Sequence, residues 1–159
     1  MMICILRPGR IHPILPPMPQ PDATNELTAE LGRRILLLDG AMGTTIRGYG
    51  LDEAAARGSR FATAPKDLLN NGDILSITRP DLIGDIHRRF FNAGSDIIET
   101  NTFSGTETAQ SEPFVADPRE SGGRKDPRIF DLVLTDPFLR DLARELNVRS
   151  ARLAPRAAD

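Results

Sequence analysis

Four consecutive aliphatic residues, Ile35-Leu36-Leu37-Leu38, stop abruptly on Asp39-Gly40. A run without polar alternation is the pattern of a strand covered on both faces, and such strands belong to parallel sheets. A second, shorter block, Asp96-Ile97-Ile98, runs into Glu99-Thr100-Asn101-Thr102-Phe103. Between the two lies a helix start: Thr78 can cap, Pro80 fits the first turn and Asp81 faces the positive end of the dipole. Leu82, Ile83, Ile86, Phe90 and Phe91 then recur at helical spacing, and Gly94 closes the element. Strand, loop, amphipathic helix and strand in that order make a parallel βαβ unit.

The remaining segments fit around that unit. Thr24 can cap a short helix in which Leu27 and Leu31 are four apart and Gly32 ends the turn. Thr44 to Ile77 reads as long, polar and irregular, with a helical piece near Asp52 to Arg57 and a turn at Asn70-Asn71-Gly72-Asp73. Prolines and charges break Glu112 to Pro137, leaving one apolar stretch at Ile129 to Leu134. Phe138 to Ala158 carries Leu139, Leu142, Leu146 and Leu153 as a second covering helix, marred by Pro155. Pro8, Pro13, Pro16, Pro17, Pro19 and Pro21 make residues 1–23 a disordered, proline-rich leader.

Formal net charge is −2 with both signs interspersed, so no basic face announces a nucleic acid and no polybasic cluster a membrane surface. No apolar run approaches the roughly 18–20 residues of a membrane span. Cys4 is the single cysteine, which rules out an internal disulfide and agrees with a reducing compartment. The start of the chain has no secretory-signal pattern, so the expected address is cytoplasmic. The expected fold class is α/β. Two strands and two covering helices correspond to about the first two βα units of a TIM-type (β/α)8 barrel, which needs eight units over about 250 residues. Residues 24–159 are then an incomplete barrel, with inner strand faces and outer edges lacking partners, and the isolated chain is expected to fold poorly or aggregate.

Four blocks occur in order: Arg34 to Thr44 (RILLLDGAMGT), Arg57-Gly58-Ser59-Arg60-Phe61, Asn70 to Leu75 with Thr78-Arg79-Pro80, and Gly94 to Phe103 (GSDIIETNTF). Together they resemble the N-terminal homocysteine-binding module of cobalamin-dependent methionine synthase. The Asp-Gly-Ala-Met-Gly-Thr block alone points only to the wider homocysteine S-methyltransferase group, and the second and third blocks favour the cobalamin type over the betaine type. The likeness covers Thr24 to Gln110 and resumes at Leu142 to Asp159, so Ser111 to Arg140 reads as an insertion.

The resemblance implies that zinc-bound homocysteine takes a methyl group from methylcobalamin, recharged from methyltetrahydrofolate, to give methionine. A free thiol with a pKa near ~8.5 is mostly protonated at neutral pH, and coordination to a metal removes its proton. It also implies that Asp39, Gly40, Ala41, Glu99, Thr100 and Thr102 hold the amino-acid end of homocysteine at the C-terminal mouth of the strands. Backbone N–H groups around Gly40-Ala41 can hold a carboxylate, and Asp39 or Glu99 can pair with the ammonium. Asp39-Gly40 can instead be only a turn after a strand, and Thr100 and Thr102 can be structural. Asn101, on the alternate face, is the weaker candidate, and His87 reads as a packing residue of the helix.

The family's zinc ligands are cysteines from later strands, and Cys4, His12 and His87 do not have metal-ligand spacing. No catalytic or metal residue is therefore expected in this chain, nor any zinc or cobalamin bound by it; folate and cobalamin would act through modules absent here. Three readings follow: an inactive fragment of a methionine synthase, a fragment of a cobalamin-independent homocysteine S-methyltransferase, or a non-catalytic binding or assembly partner.

Overall fold

The two aliphatic blocks meet side by side and in parallel. In the computed structural model, which describes residues 22–116 and 128–157 and the backbone of 3–5, Leu38 bridges Ile97 in parallel register. The amide of Asp39 donates to the Ile97 carbonyl at 2.9 Å, and the amides of Ile97 and Asp96 both donate to the Leu37 carbonyl, at 3.1 and 2.8 Å. Two side chains seal the start of the pairing. Arg34 forks onto Asp96, Nη1 to Oδ2 at 2.8 Å and Nη2 to Oδ1 at 2.6 Å, and Asp96 Oδ2 also accepts from the Leu37 amide at 3.0 Å.

The elements are β1 (Ile3–Ile5), α1 (Thr24–Leu31), α2 (Met42–Gly48), α3 (Glu53–Arg57), α4 (Leu75–Thr78), α5 (Pro80–Asn92), β2 (Ile97–Glu99), α6 (Glu107–Phe114), α7 (Arg128–Thr135) and α8 (Pro137–Arg156), with a 3-10 turn at Gly72–Ile74. The described residues are thus α/β but mostly helical. The first aliphatic block corrects one expectation. It forms a single bridge rather than a regular strand, and Ile35 is 84% exposed, with Leu37 at 55% and Leu38 at 49%. A parallel strand is buried only where strands flank both edges and layers cover both faces; among the described residues this block has β2 on one edge alone.

The other edge of β2 carries β1, antiparallel, with Ile3 opposite Glu99 and Ile5 opposite Ile97. Ile97 already spends both backbone groups on Leu37 and Asp39, so β1 must lie on the opposite side. A strand at residues 3–5 is not legible in the proline-rich leader, whose residues 6–21 lie outside those described.

The segment read as irregular, Thr44 to Ile77, supplies much of the core. Ile46, Ala56, Phe61, Leu68, Ile74, Leu75 and Ile77 are buried with Leu82, Ile83 and Ile86 of α5 and Leu142 and Leu146 of α8. Each short helical piece contributes one or two apolar side chains, too few for a period to show. An internal ion pair holds the pieces together: Arg57 Nε donates to Glu53 Oε1 at 2.5 Å while its Nη atoms donate to the carbonyls of Ala64 and Lys66 at 2.6 and 2.9 Å. Glu53 in turn accepts from the amides of Leu68 and Leu69 at 2.8 and 2.9 Å. Asp52 caps α3 by accepting from the Ala55 amide.

The covering helix α5 starts as its sequence suggests, with Pro80 in the first turn and Arg79, not Thr78, as the cap residue; Thr78 is the last residue of α4. Gly94 ends it at φ +107°, a conformation natural to glycine. Thr24 is the first residue of α1 rather than its cap: Ala23 holds the cap position without a side-chain bond, and Asp22 accepts from the amide and hydroxyl of Thr24. Asp136 caps α8 through the amides of Phe138 and Leu139, and the helix runs unbroken through Pro155, which lies in its final turn. Pro155 has no N–H to donate to the carbonyl four residues before it, and the helix ends one residue later, at Arg156. The stretch read as an insertion, 111–140, is partly regular: it contains the end of α6, with Pro113 buried inside it, then α7 and the first turn of α8. Residues 117–127 lie outside those described. No described helix is long and apolar enough to cross a membrane.

Two outcomes test this packing. Leu146 is fully buried in the core, so Leu146→Ala leaves a cavity and costs about 2–5 kcal/mol, seen as a lower urea midpoint of the helical circular-dichroism signal. The Arg34 guanidinium, followed by the Leu37 amide, pulls Asp96 down from 3.8 to about 2. A depressed carboxylate contributes stability that is complete above its unfolded pKa and lost as pH falls through the folded one. The Asp96 contribution therefore persists above pH 3.8 and disappears toward about pH 2. Asp96→Asn removes that component, and a pH–stability profile identical to the parent over this range contradicts the assignment.

Candidate functional site

Because the two strand ends lie side by side, Asp39 and Glu99 emerge at the same mouth. The residues after them line one cleft of about 340 Å³. Asp39, Gly40, Ala41, Glu99, Thr100 and Thr102 all reach it, joined by Met42, Ile46, Asp73 and Phe103. Gly40-Ala41 leads into α2, whose first-turn N–H groups have no acceptor within their own helix. Ala41 sits at φ 42°, ψ 32°, the one described non-glycine residue with positive φ. An alanine held in the left-handed region is strained, and strain of this kind gathers where a backbone is held for function.

The two strand ends are tied directly. Asp39 Oδ1 accepts from the Glu99 amide at 2.9 Å. Burial raises the pKa of Asp39; the Glu99 amide opposes that rise and the nearby Glu99 carboxylate adds to it. A cation entering between Asp39 and Glu99 would relieve the repulsion, which makes this end of the cleft suited to an ammonium group. The hydroxyls of Thr100 and Thr102 lie 2.8 Å apart, and the Thr102 amide donates to the Thr100 carbonyl at 2.8 Å. Phe103 is fully exposed at the rim.

Asn101 also lines the cleft, and its side chain is engaged with the 3-10 turn and α4. Its side-chain amide donates to the Gly72 carbonyl at 3.0 Å and to Ser76 Oγ at 3.1 Å. Asp73 answers in the reverse sense: its carboxylate accepts from the backbone amides of Ser104 and Phe103. The 3-10 turn and the segment after β2 therefore grip each other with one donor side chain and one acceptor side chain. Asp73 is buried, which raises its pKa against those two hydrogen bonds. Sequence reasoning treated Asp73 as part of a loop-shaping turn; its signal was an acidic residue directly before the apolar run Ile74-Leu75. Gln110 of α6 extends the grip, accepting from Asn71 Nδ2 and donating to the Ser104 carbonyl, both at 2.9 Å.

The donor set around the cleft is carboxylate, hydroxyl and amide, whereas the resemblance implies a metal held by thiolates. Among the described residues no three His, Cys, Asp or Glu side chains are grouped to hold a metal ion. His87 is enclosed within α5 and neither ring nitrogen has a hydrogen-bond partner; burial alone lowers its pKa to about 4. These residues do not fit a thiolate-bound zinc.

The cleft lining thus offers carboxylates, the backbone N–H groups at the start of α2 and two hydroxyls, groups that can pair with the charged and polar parts of a small ligand. The sequence model of the homocysteine S-methyltransferase family matches residues 36–159, from the first aliphatic block through both halves of this cleft to α8. The chain belongs to the homocysteine S-methyltransferase family.

Proposed function

We propose that the cleft holds the amino-acid end of homocysteine, in the opening two βα units of a TIM-type barrel of the cobalamin-dependent methionine synthase kind. The observation that carries this reading is the convergence of both strand ends, Asp39 to Met42 and Glu99 to Phe103, on one cavity. Asp39 and Glu99 pair with the ammonium, the backbone N–H groups around Gly40-Ala41 receive the carboxylate, and Thr100 and Thr102 orient the chain between them. The thiol is then held at a fixed distance from those anchors for attack on a methyl donor, a gain in positioning rather than in activation.

Support for the cobalamin type comes from the resemblance of the Arg57 to Phe61 and Asn70 to Asp73 blocks; in the fold Arg57 organises the first loop and Phe61 is buried in the core. Deprotonating the thiol requires ligands that the cleft side chains do not supply. On this reading the groups that activate the thiol and the methyl donor come from outside the cleft residues.

Calorimetric titration of the chain with L-homocysteine tests the reading. Saturable binding is expected, weakened about tenfold by Asp39→Asn or Glu99→Gln, as befits loss of a charge-assisted hydrogen bond. 4-Mercaptobutanoate, which lacks the amino group, should bind at least as weakly to the parent chain. Equal affinity for the two ligands, or no saturable heat with homocysteine, contradicts it.

A further inference from the structure

The buried face of α8 carries Leu139, Leu142, Ala143, Leu146 and Ala154, and among them one hydroxyl, Ser150. Ser150 and Ser76 are both fully buried and neither lines the cleft. We propose that Ser150 is a positioning residue for the cleft, acting from α8 through Ser76 and Asn101 to fix how Thr100 and Thr102 face the ligand. This rests on the reading of the cleft as an amino-acid site.

The geometry is a closed ring. Ser150 Oγ lies 2.8 Å from Ser76 Oγ and 3.0 Å from the carbonyl oxygen of Asn101, while Asn101 Nδ2 donates to Ser76 Oγ at 3.1 Å. A carbonyl only accepts and each hydroxyl has one proton. One arrangement satisfies every contact: Asn101 Nδ2 donates to Ser76, Ser76 to Ser150, and Ser150 to the Asn101 carbonyl. Polar groups buried this deeply are costly unless fully paired, and here the pairing closes on a single residue of the cleft segment.

That closure controls a peptide plane. The Asn101 carbonyl and the Thr102 amide belong to the same rigid unit. Ser150 holds its oxygen, and the Thr100 carbonyl holds its N–H at 2.8 Å. With both ends pinned the plane cannot rotate, and the Thr100 and Thr102 hydroxyls stay 2.8 Å apart on the cleft side. A serine needed only for helix packing would be replaceable by alanine without effect on this loop.

Ser150→Ala removes the hydroxyl with little change of shape. In the ligand-free chain, hydrogen exchange at the Thr102 and Ser104 amides is expected to quicken about tenfold, with Ile83 to Phe91 of α5 unchanged. With L-homocysteine as the probe, the dissociation constant of Ser150→Ala should rise about tenfold. Adding Ser150→Ala to Asn101→Ala should still raise it, because the Ser150 hydroxyl bonds the main-chain carbonyl of residue 101, which that substitution leaves in place. Unchanged exchange at both loop amides, or a homocysteine dissociation constant unmoved by Ser150→Ala, overturns the proposal. If the parent chain itself binds no homocysteine, the substrate reading fails, and the exchange measurement decides the positioning role by itself.

Discussion

A short stretch of parallel backbone pairing, Leu37 to Asp39 against Asp96 and Ile97, is the contact on which the site depends. It contains three backbone hydrogen bonds and the Arg34–Asp96 fork. Parallel strands end at the same side, so this pairing brings Asp39 and Glu99 to one mouth although 60 positions separate them in sequence. Chain continuity then supplies two sides of the cleft, Gly40 to Gly43 out of one strand end and Thr100 to Ser104 out of the other, while Asn70, Gly72 and Asp73 enter from the first loop.

A pairing this short needs support from behind, and the first loop supplies it. The Glu53–Arg57 pair folds residues 53–69 onto themselves, which places Phe61 and Leu68 in the core beneath the 3-10 turn at Gly72–Ile74. The turn then clasps the segment after β2 through Asn101 and Asp73. The hydrophobic core made by α4, α5 and α8 thus stabilises the helical layer, and hydrogen bonds transmit that rigidity to the cleft. Ile35, Leu37 and Leu38 remain exposed, because among the described residues their block has β2 on one edge alone.

Much of this was legible in the sequence, for identifiable reasons. The helix at Pro80–Asn92 announced itself through Pro80, Asp81 and a sustained apolar period, and α8 through the spacing of Leu139, Leu142 and Leu146. The parallel relation of the two blocks followed from the intervening helix. The first loop did not, because its core residues are scattered over helical pieces of three to seven residues and its order comes from the Arg57 and Glu53 hydrogen bonds rather than from periodicity. The extent of burial was misjudged at Ile35 to Leu38 because composition reports what a strand is suited to, not which neighbours it has. The strand at Ile3–Ile5 was hidden by the prolines that follow it. At the cleft, resemblance and alternation selected Asp39, Gly40, Ala41, Glu99, Thr100 and Thr102, whereas Asp73 and Ser150 act through partners distant in sequence and leave no local pattern.

The most direct measurement of the central claim is an amide-resolved NMR titration of the chain with L-homocysteine. The account predicts that the Gly40, Ala41, Thr100 and Thr102 resonances move together along one saturation curve, while those of α5 stay in place. Shifts confined to one strand end, or found only away from both, would show that the two ends do not form a common site.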